Sequence, residues 1–396
     1  MKLSDIVILS GARTAIGSFG GSLSSLAPAQ LGTFAAQEAI SRSQVEAEAI
    51  DHAVFGHIIT TSPEDAYVAR HIALNAGMLE SSAAFNVNRL CGSSVQSVIS
   101  AVQLLMLGDS KIALAGGTES MSRGAYLLAN ARQGLRMGDG KVVDLTIGIL
   151  SDPFGSGHMG ITAENIAEQY GFERIQLDEF SVESQRRACA AIKAGYFDQQ
   201  IVDVPIMRGR ESVMFSQDEH PRQDTDLDSL ARLKPAFKKD GIVTAGNASG
   251  LNDGAAALVL TSQQEAEARG LKPRARFISY AFAGVKPKLM GLGPIPAVNT
   301  ALQQAKLTIA DMDVIESNEA FAAQAMAVSK TLAFPTEKVN PNGGAVALGH
   351  PVGATGSILI IKALAELERV DGQFGLITMC IGGGQGIALI IERVNS

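Results

Sequence analysis

The chain has 396 residues, of which 46% are hydrophobic and 18% are charged, and this length predicts two or three domains rather than one core. The composition favours a well-packed globular enzyme over an intrinsically disordered protein. The net charge of -7 argues against a non-specific nucleic-acid binder, so we expect no nucleic-acid partner.

Apolar runs of strand length alternate with helical patterns along the whole chain, which predicts an α/β fold with largely buried sheets. The predicted strands are, in chain order, 6–10, 52–57, 84–88, 111–115, 255–261, 314–316, 376–380 and 386–392. Over residues 92–107, apolar side chains recur at i, i+3, i+4 and i+7. This spacing predicts a long helix with one apolar stripe.

A degenerate repeat relates the two halves of the chain. FNVNRLCGSSVQSVISAVQLL followed by KIALAGGTES matches VNPNGGAVALGHPVGATGSILIIKAL followed by FGLITMCIGGGQG. Each contains a strand, a polar turn, a reactive side chain, a helix and a strand that ends in glycines, with Cys91 and His350 at matching points. The repeat predicts two similar half-domains that face one another.

The same repeat predicts an insertion in the first half. In the second half, the strand GIALIIE follows the glycine turn within a few residues. In the first half, the equivalent strand AAALVLT follows only after about 130 residues. We therefore expect a first half at 1–121 plus 249–273, an inserted loop domain at 122–248 and a second half at 274–396.

The three cysteines, Cys91, Cys189 and Cys380, are too few and odd in number for a disulfide framework. They fit a reducing compartment, and we expect the protein in the cytoplasm. The absence of a C-x-x-C pair or a His/Cys cluster gives no sign of a metal site. Because the sequence contains no run of 18 apolar residues, we expect no membrane partner.

Cys91 is a candidate nucleophile because it follows a strand and precedes a long helix. The N–H groups and dipole of a helix N-terminus favour the thiolate, the nucleophilic form of cysteine. His350 lies on a glycine-rich loop, and a histidine in such a place can take a proton from a thiol. The alternatives from the residues alone are a buried structural cysteine and an ordinary surface histidine.

Two further side chains are candidates on weaker grounds. Cys380 ends a strand before IGGGQG, where a second thiol could act as an acid or base and glycine N–H groups could bind an oxyanion. The alternative is a small hydrophobe at a strand end. Asn318 lies between a strand and a helix, and its residue type predicts a helix cap. Cys189 lies in a helical pattern and is expected to be a packing residue.

Together these motifs resemble the thiolase family over essentially the whole chain. NRLCGSS, ESNEAFA, GGAVALGHPVGATG and CIGGGQG are similar to that family's four active-site motifs, in the family's order, and HMGITAEN and AGNASGLNDGAA match two further stretches. The resemblance implies the thiolase fold, in which two duplicated βαβαβαββ halves form a five-layered α-β-α-β-α core. An inserted loop domain would bind CoA and make oligomer contacts.

The resemblance also implies roles for individual residues. Cys91 would carry the acyl group, His350 would activate it, and Cys380 would be the second acid/base. Asn318 and His350 would hold a water in one oxyanion hole, and the N–H groups of Cys91 and Gly382 would form the other. The residues implied to contact the substrate or CoA are His158, Met159, Leu150, Arg222, Ser229, Phe237, Ala245, Ser249, Met290, Ala320 and Phe321.

The implied reaction is the reversible condensation of two acetyl-CoA to acetoacetyl-CoA plus CoA, by a ping-pong mechanism. Acetyl-CoA, acetoacetyl-CoA and CoA would be its small-molecule partners, with no permanently bound cofactor and no metal. The resemblance implies a homotetramer, and a dimer remains an alternative. The alternatives are a degradative 3-ketoacyl-CoA thiolase of broader chain length, which the His158–Met159 pair disfavours, and an inactive CoA-binding or lipid-carrier relative. A ketoacyl synthase is disfavoured by Cys380.

The sequence departs from the family pattern in the nucleophile motif. Ser94 stands where that motif usually ends in glycine, and GGTESMS differs from the commoner run at Thr118 and Ser120. None of these departures removes a reactive side chain. They bear on turnover and substrate preference rather than on the class of reaction.

Overall fold

The computed structural model describes residues 1–394, in which two halves have the same order of elements. Each half forms one sheet, and the two sheets join through one short strand contact into a continuous mixed sheet. The first half contains β1 (Ile6–Thr14), β2 (Gly17–Ser18), α1 (Pro28–Ser43), β3 (His52–Gly56), α2 (Val68–Asn75), β4 (Ala83–Val87), α3 (Ser93–Leu107) and β5 (Ile112–Ser120). A long excursion follows β5, and the chain then returns to this sheet.

The excursion lies outside the main sheet except at one short strand. Its elements are β6 (Tyr126–Leu128), β7 (Val142–Asp144), α4 (Leu145–Ile149), β8 (Ser151–Asp152), β9 (Gly157–His158), α5 (Met159–Tyr170), α6 (Arg174–Lys193), β10 (Ile201–Val202), β11 (Val204–Arg208), β12 (Glu211–Phe215) and α7 (Leu227–Ala231). Strand β10 pairs with β1 in parallel, whereas the other strands form three separate hairpins. Helices α5 and α6 pack against the second half.

The chain re-enters the first sheet at β13 (Asn252–Ser262), which is followed by α8 (Gln263–Ala268). The second half contains β14 (Ala275–Gly284), α9 (Pro294–Ala305), β15 (Val314–Ser317), α10 (Ala322–Leu332), α11 (Ala345–Leu348), α12 (Thr355–Arg369), β16 (Phe374–Ile381) and β17 (Gln385–Arg393).

The strand order shows the duplication that the repeat predicts. From the short contact between β1 and β14, the first half runs β1-β13-β5-β3-β4 and the second runs β14-β17-β16-β15. Each half follows a βαβαβαββ path, but the third strand of the second half is reduced to a single parallel bridge between Val339 and Ile315. Pro335 and Pro341 flank this bridge, and prolines cannot donate to a strand ladder.

The helices and sheets stack in five layers. Helices α1 and α2 cover the outer face of the first sheet, α9 and α10 cover the outer face of the second, and α3 and α12 lie together between the sheets. Buried side chains such as Val98 of α3 and Ile358 of α12 belong to one core cluster with residues of both sheets. The α-β-α-β-α arrangement expected from the resemblance is therefore present.

All eight strands predicted from the sequence are present, with bounds that differ by a few residues. The sequence analysis missed the short strand β2 and the strands of the excursion, and among the long strands of the two halves it missed β14, in which buried and partly exposed residues alternate. It was missed because the prediction relied on continuous apolar runs, which are typical of strands buried on both faces.

One described segment, Leu90–Leu107, is long and apolar enough to cross a membrane, and 56% of it is buried inside the fold. This segment contains α3, which lies between the two sheets, so it is a core helix. Among residues 1–394 no group of three or more His, Cys, Asp or Glu side chains could hold a metal ion.

Candidate active site

A small cavity of about 60 Å³ lies where the two halves meet. It brings together Cys91, which precedes α3, His350, which precedes α12, and Cys380, which lies near the end of β16. The cavity is lined by Ile58, Leu90, Cys91, Ile149, Leu150, Met159, Ser249, Met290, Ala320, Phe321, His350, Val352, Cys380 and Gly382. Three reactive side chains that are far apart in sequence therefore face one space.

A sharp turn places Cys91 in this cavity. Leu90 adopts a φ of 47°, a left-handed conformation that is unusual for a bulky side chain. The Ser93 hydroxyl stabilises the turn, because it donates to the Leu90 carbonyl at 2.6 Å and accepts the Arg89 N–H at 2.9 Å. The chain thus reverses between β4 and α3 with the Cys91 side chain at the bend.

Cys91 is a neutral thiol in this resting structure. Burial raises the pKa of Cys91, and the N–H groups of Gly382 and of Cys91 itself, which face the sulfur, oppose this increase without cancelling it. The sequence predicts a position that favours the thiolate, but the loss of water outweighs the nearby helix terminus. Cys91 therefore needs a base in order to become nucleophilic.

His350 has the protonation state and tautomer that suit such a base. Its Nδ1 lies 2.7 Å from the Thr355 hydroxyl, and that hydroxyl donates its one proton to the Pro351 carbonyl at 3.0 Å. Thr355 must therefore accept a hydrogen bond from Nδ1–H, which leaves a lone pair on Nε2. Burial lowers the pKa of His350 to about 4, so the ring is neutral at physiological pH.

Asn318 lies beside the free nitrogen of His350 and does not cap a helix. Its Nδ2 donates to His350 Nε2 at 3.4 Å. The Asn318 Oδ1 is buried and has no hydrogen-bond partner within residues 1–394. The helix-cap prediction is wrong because α10 begins only at Ala322.

Cys380 and Gly382 line the same cavity as the histidine. The Cys380 side chain is fully buried, and burial, together with the neighbouring Cys91, raises the pKa of Cys380 far above its usual range. Gly382 packs so closely on Met159 that a Cβ there would lie 3.0 Å from the Met159 methyl group. A side chain at this position would require the end of the Met159 side chain to move.

The residues expected to contact the acyl and pantetheine parts of a substrate line the same cavity or adjoin it. Leu150, Met159, Ser249, Met290, Ala320 and Phe321 are all part of the cavity wall. His158 stacks on Phe237 with ring centroids 4.7 Å apart, and Phe237 contacts Phe321 edge to face at 6.0 Å. Burial lowers the pKa of His158, so its ring is also neutral.

The residues expected at the nucleotide end lie in a second cavity, of about 240 Å³. It is lined in part by Arg222, Ser229 and Ala245, together with His220, which the sequence analysis did not select. Arg222 and Ala245 are exposed. Ser229 is engaged at the N-terminus of α7, where its N–H donates to the Asp226 carboxylate at 2.7 Å. The short segment from Ala245 to Ser249 connects the two cavities.

Three buried residues close in sequence or space to the candidate catalytic residues were not selected by the sequence analysis. Thr355 fixes the tautomer of His350, and the Asn252 side chain accepts the His350 backbone N–H at 2.9 Å. The Glu319 carboxylate accepts hydrogen bonds from Ser184 at 2.7 Å and from Asn340 at 2.8 Å. The sequence signal was their place inside or beside the motifs, but only the fold shows what each one contacts.

Comparisons with known proteins show which family the chain belongs to. Residues 6–264 match the family model of the thiolase N-terminal domain, and residues 271–393 match that of the thiolase C-terminal domain. The beta-ketothiolase BktB of Cupriavidus necator is 55% identical over 392 residues, which cover 98% of this chain and 99% of BktB. The acetyl-CoA acetyltransferase of Escherichia coli is 48% identical over 396 residues, or 99% and 100% of the two chains.

A solved structure supports the same relationship. The crystal structure of human mitochondrial 3-ketoacyl-CoA thiolase in complex with CoA has a TM-score of 0.96 and 39% sequence identity, with 99% of this chain and 98% of that chain covered. The likeness spans both halves and the excursion between them, so the expected fold is confirmed. The chain belongs to the thiolase family and is an acyltransferase with the thiolase fold.

Proposed function

We propose that this protein is an acetyl-CoA C-acetyltransferase that reversibly condenses two acetyl-CoA to acetoacetyl-CoA and CoA. The observation that carries the proposal is the single cavity in which two thiols, Cys91 and Cys380, face a neutral histidine. One thiol can hold an acyl group while the other handles a carbon-bound proton. The relatives described above support CoA thioesters as the substrates.

The first half-reaction acylates Cys91. The Nε2 atom of His350 takes the Cys91 proton, and the thiolate attacks the carbonyl carbon of acetyl-CoA. The developing oxyanion would be bound by the N–H groups of Cys91 and Gly382, which face this sulfur. The C–S bond to CoA then breaks, and the leaving thiolate takes the proton of Cys380.

The second half-reaction forms the carbon–carbon bond. The Cys380 thiolate removes a methyl proton from a second acetyl-CoA, and the protonated ring of His350 with Asn318 stabilises the enolate oxygen. The unpartnered Oδ1 of Asn318 supports a role in holding a water there. The enolate carbon attacks the acetyl group, the bond to Cys91 breaks, and His350 returns its proton to the sulfur.

The expected substrate-binding roles are part of this proposal. Met290 closes the acyl end of the cavity, and His158 lies near the thioester oxygen. Leu150, Phe237 and Phe321 line the pantetheine path with Ala320, and Ser249 binds a pantetheine amide. Arg222, Ser229 and Ala245 meet the nucleotide, where a guanidinium suits a phosphate or an adenine. Residues 122–248 would act as the loop domain that supplies most of these contacts.

Incubation of the protein with acetoacetyl-CoA and CoA tests the proposal directly. We expect loss of the 3-ketothioester absorbance and an acetyl group on Cys91 by mass spectrometry. Cys91→Ala should remove both signals and still bind CoA. No loss of acetoacetyl-CoA by the wild-type protein, with CoA still bound, would favour an inactive carrier instead.

The remaining alternative is a degradative thiolase of broader chain length. The small volume near Cys91 and the Met159–Met290 wall support short acyl groups. Thiolysis rates for acetoacetyl-CoA, 3-ketohexanoyl-CoA and 3-ketooctanoyl-CoA decide between the two. Equal rates along this series would favour the degradative enzyme, whereas a steep fall after acetoacetyl-CoA supports the proposal.

We also propose a cytoplasmic homotetramer. The hairpin of β6 and β7 and the loop within it expose apolar side chains, including Leu127 (51%), Met137 (97%) and Val142 (56%). Exposed apolar groups clustered on one segment are typical of a contact with another chain. Light scattering of the purified protein should give the mass of four chains. A dimer mass would restrict the contacts to one interface.

A further inference from the structure

The two helices that follow the candidate catalytic residues cross at their first turns. Cys91 precedes α3 and His350 precedes α12. The second residue of α3 is Ser94, and the second residue of α12 is Gly356. A Cβ at Gly356 would lie 2.8 Å from the Val95 backbone nitrogen and 2.9 Å from the Ser94 Oγ. The two backbones are therefore in close contact behind the cavity.

Helix α12 has no cap of its own. Its N-cap residue is Ala354, and no side chain at that position accepts a hydrogen bond. The first N–H groups of a helix lack an intrahelical acceptor, and a serine, threonine, aspartate or asparagine at the N-cap commonly supplies one. Residues 351–360 are all buried, so bulk water is a poor substitute. Another part of the fold must therefore supply the cap.

Ser94 supplies this cap from the first half of the chain. Its Oγ accepts the N–H of Ser357, the third residue of α12, at 2.9 Å. An N-cap side chain commonly accepts the N–H at this same position. The Ser357 N–H also faces the Ala354 carbonyl at 3.1 Å, and the Ser357 hydroxyl faces the Ser94 carbonyl at 3.4 Å. The bond to the Ser94 hydroxyl is the shortest of these contacts.

The surroundings of Ser94 hold its side chain against α12. Both Ser94 and Ser357 are fully buried. A Cβ at Gly117 in β5 would lie 2.6 Å from the Ser94 Cβ, and a Cβ at Gly56 in β3 would lie 2.8 Å from the Ser94 backbone nitrogen. Glycines on three sides thus leave room for a serine side chain whose hydroxyl faces α12.

The capped turn carries the residue that fixes His350. Thr355 is the first residue of α12, and its hydroxyl lies 2.7 Å from His350 Nδ1. The adjacent Ser93 hydroxyl stabilises the turn that places Cys91. Two consecutive serines therefore hold the two reactive side chains, Ser93 through the Cys91 turn and Ser94 through the first turn of α12.

We propose that Ser94 is a positioning residue for the reaction, because its cap on α12 fixes the first turn of that helix, and with it His350, relative to Cys91. Ser94 lines neither cavity, so it acts through α12 and not on the substrate. A glycine, which usually ends the nucleophile motif of the family, would leave the Ser357 N–H with its longer bond alone. The inference rests on the proposed roles of Cys91 and His350.

The first test measures acetylation of Cys91 by rapid quenching after mixing with acetoacetyl-CoA and CoA. Ser94→Ala removes the hydroxyl but keeps the Cβ, and Ser94→Gly provides a second arm with a residue that the family commonly has here. Both variants should form the acetyl-enzyme about 3 to 10 times more slowly than the wild type. The affinity for CoA should not change, because Ser94 lies outside both cavities.

Ser97→Ala is the matched control for the loss of a buried hydroxyl. Ser97 lies one turn further along α3 and is also fully buried. Its hydroxyl bonds carbonyl groups of the first half, at Gly116 and Ser94. S97A should therefore lose stability in urea titrations much as S94A does, but acetylate Cys91 at a rate close to that of the wild type.

The second test needs no thioester. Iodoacetamide reacts with the thiolate of Cys91, which forms when His350 takes the proton, and the Cys91 peptide is followed by mass spectrometry at neutral pH. S94A and S94G should be alkylated more slowly than the wild type, because the base is less well placed. A cavity that had only become more open would be alkylated faster. The Cys189 peptide serves as an internal control for the reagent.

Wild-type rates of acetylation and alkylation in both Ser94 variants would overturn the proposal. An equal loss of acetylation in S97A would also overturn it, as would faster alkylation of S94A. If the wild type formed no acetyl-enzyme, the proposed function would fail, but the alkylation rates would still decide whether Ser94 positions the base.

Discussion

Replacing Thr355 by valine should slow acylation of Cys91 because it removes the acceptor that fixes the His350 tautomer. Valine has nearly the same shape, and Thr355 is almost fully buried, so the packing of α12 should change little. The Pro351 carbonyl keeps a partner, because the backbone N–H at position 355 also donates to it at 3.0 Å. The main change is a buried Nδ1–H without an acceptor.

The size of the effect follows from that unpaired group. A buried donor that loses its acceptor costs about 1–3 kcal/mol. The ring can avoid this cost by moving its proton to Nε2, but that tautomer cannot take the Cys91 proton. If the same free energy separates the active tautomer from its alternative, the acylation rate falls by about 5- to 150-fold.

Rapid quenching after mixing with acetoacetyl-CoA and CoA measures the acetyl-enzyme directly. Thr355→Ser, which keeps the hydroxyl, is the matched control and should acylate at a rate close to that of the wild type. CoA affinity should be the same in all three proteins, since the second cavity is not altered. An equal rate in the valine and serine variants would refute the assignment of the tautomer.

Three further predictions concern the second thiol, the core and pH. Cys380→Ala should abolish condensation but leave acetylated Cys91 detectable by mass spectrometry, and equal loss of both half-reactions would contradict its role. Lys362 donates to Glu316 at 2.7 Å, and both side chains are buried. Lys362→Met should therefore lower the free energy of unfolding, measured by urea titration, by about 3–5 kcal/mol. An unchanged urea midpoint would argue against a buried charge at Glu316. Folding lowers the pKa of His350 from 6.5 to about 4. Between these pH values the folded state binds fewer protons than the unfolded state, so the free energy of unfolding falls as the pH decreases from 6.5 to 4. His350→Asn should remove this part of the pH dependence of the free energy of unfolding. If the free energy of unfolding changes equally with pH in the wild type and the variant, His350 is not its cause.

Much of this architecture could be predicted from the sequence, because the repeat relates one half to the other. Matching Cys91 with His350 was enough to predict that the two side chains face each other, and the structure places them in one cavity. The bridge at Val339 shows the limit of this reasoning, since a repeat gives the order of the elements but not the length of each strand.

The protonation states at the site could not be predicted in the same way. The sequence indicates a thiolate at Cys91, whereas burial raises its pKa, and burial depends on residues such as Met159 and Met290 that are distant in the chain. The tautomer of His350 likewise depends on the rotamer of Thr355. Such properties arise from contacts between halves, and no local pattern records them.

The division of the site between the two halves has a consequence for synthesis of the protein. Cys91 belongs to the first half, whereas His350, Cys380 and the Gly382 N–H belong to the second, and the last two lie in or beside the final hairpin of β16 and β17. A nascent chain on the ribosome therefore carries the thiol long before it carries the residues proposed as base, acid and oxyanion hole. With the proposed roles, acyl transfer would begin only after β17 has joined the sheet, so the reaction would be confined to molecules that have completed folding.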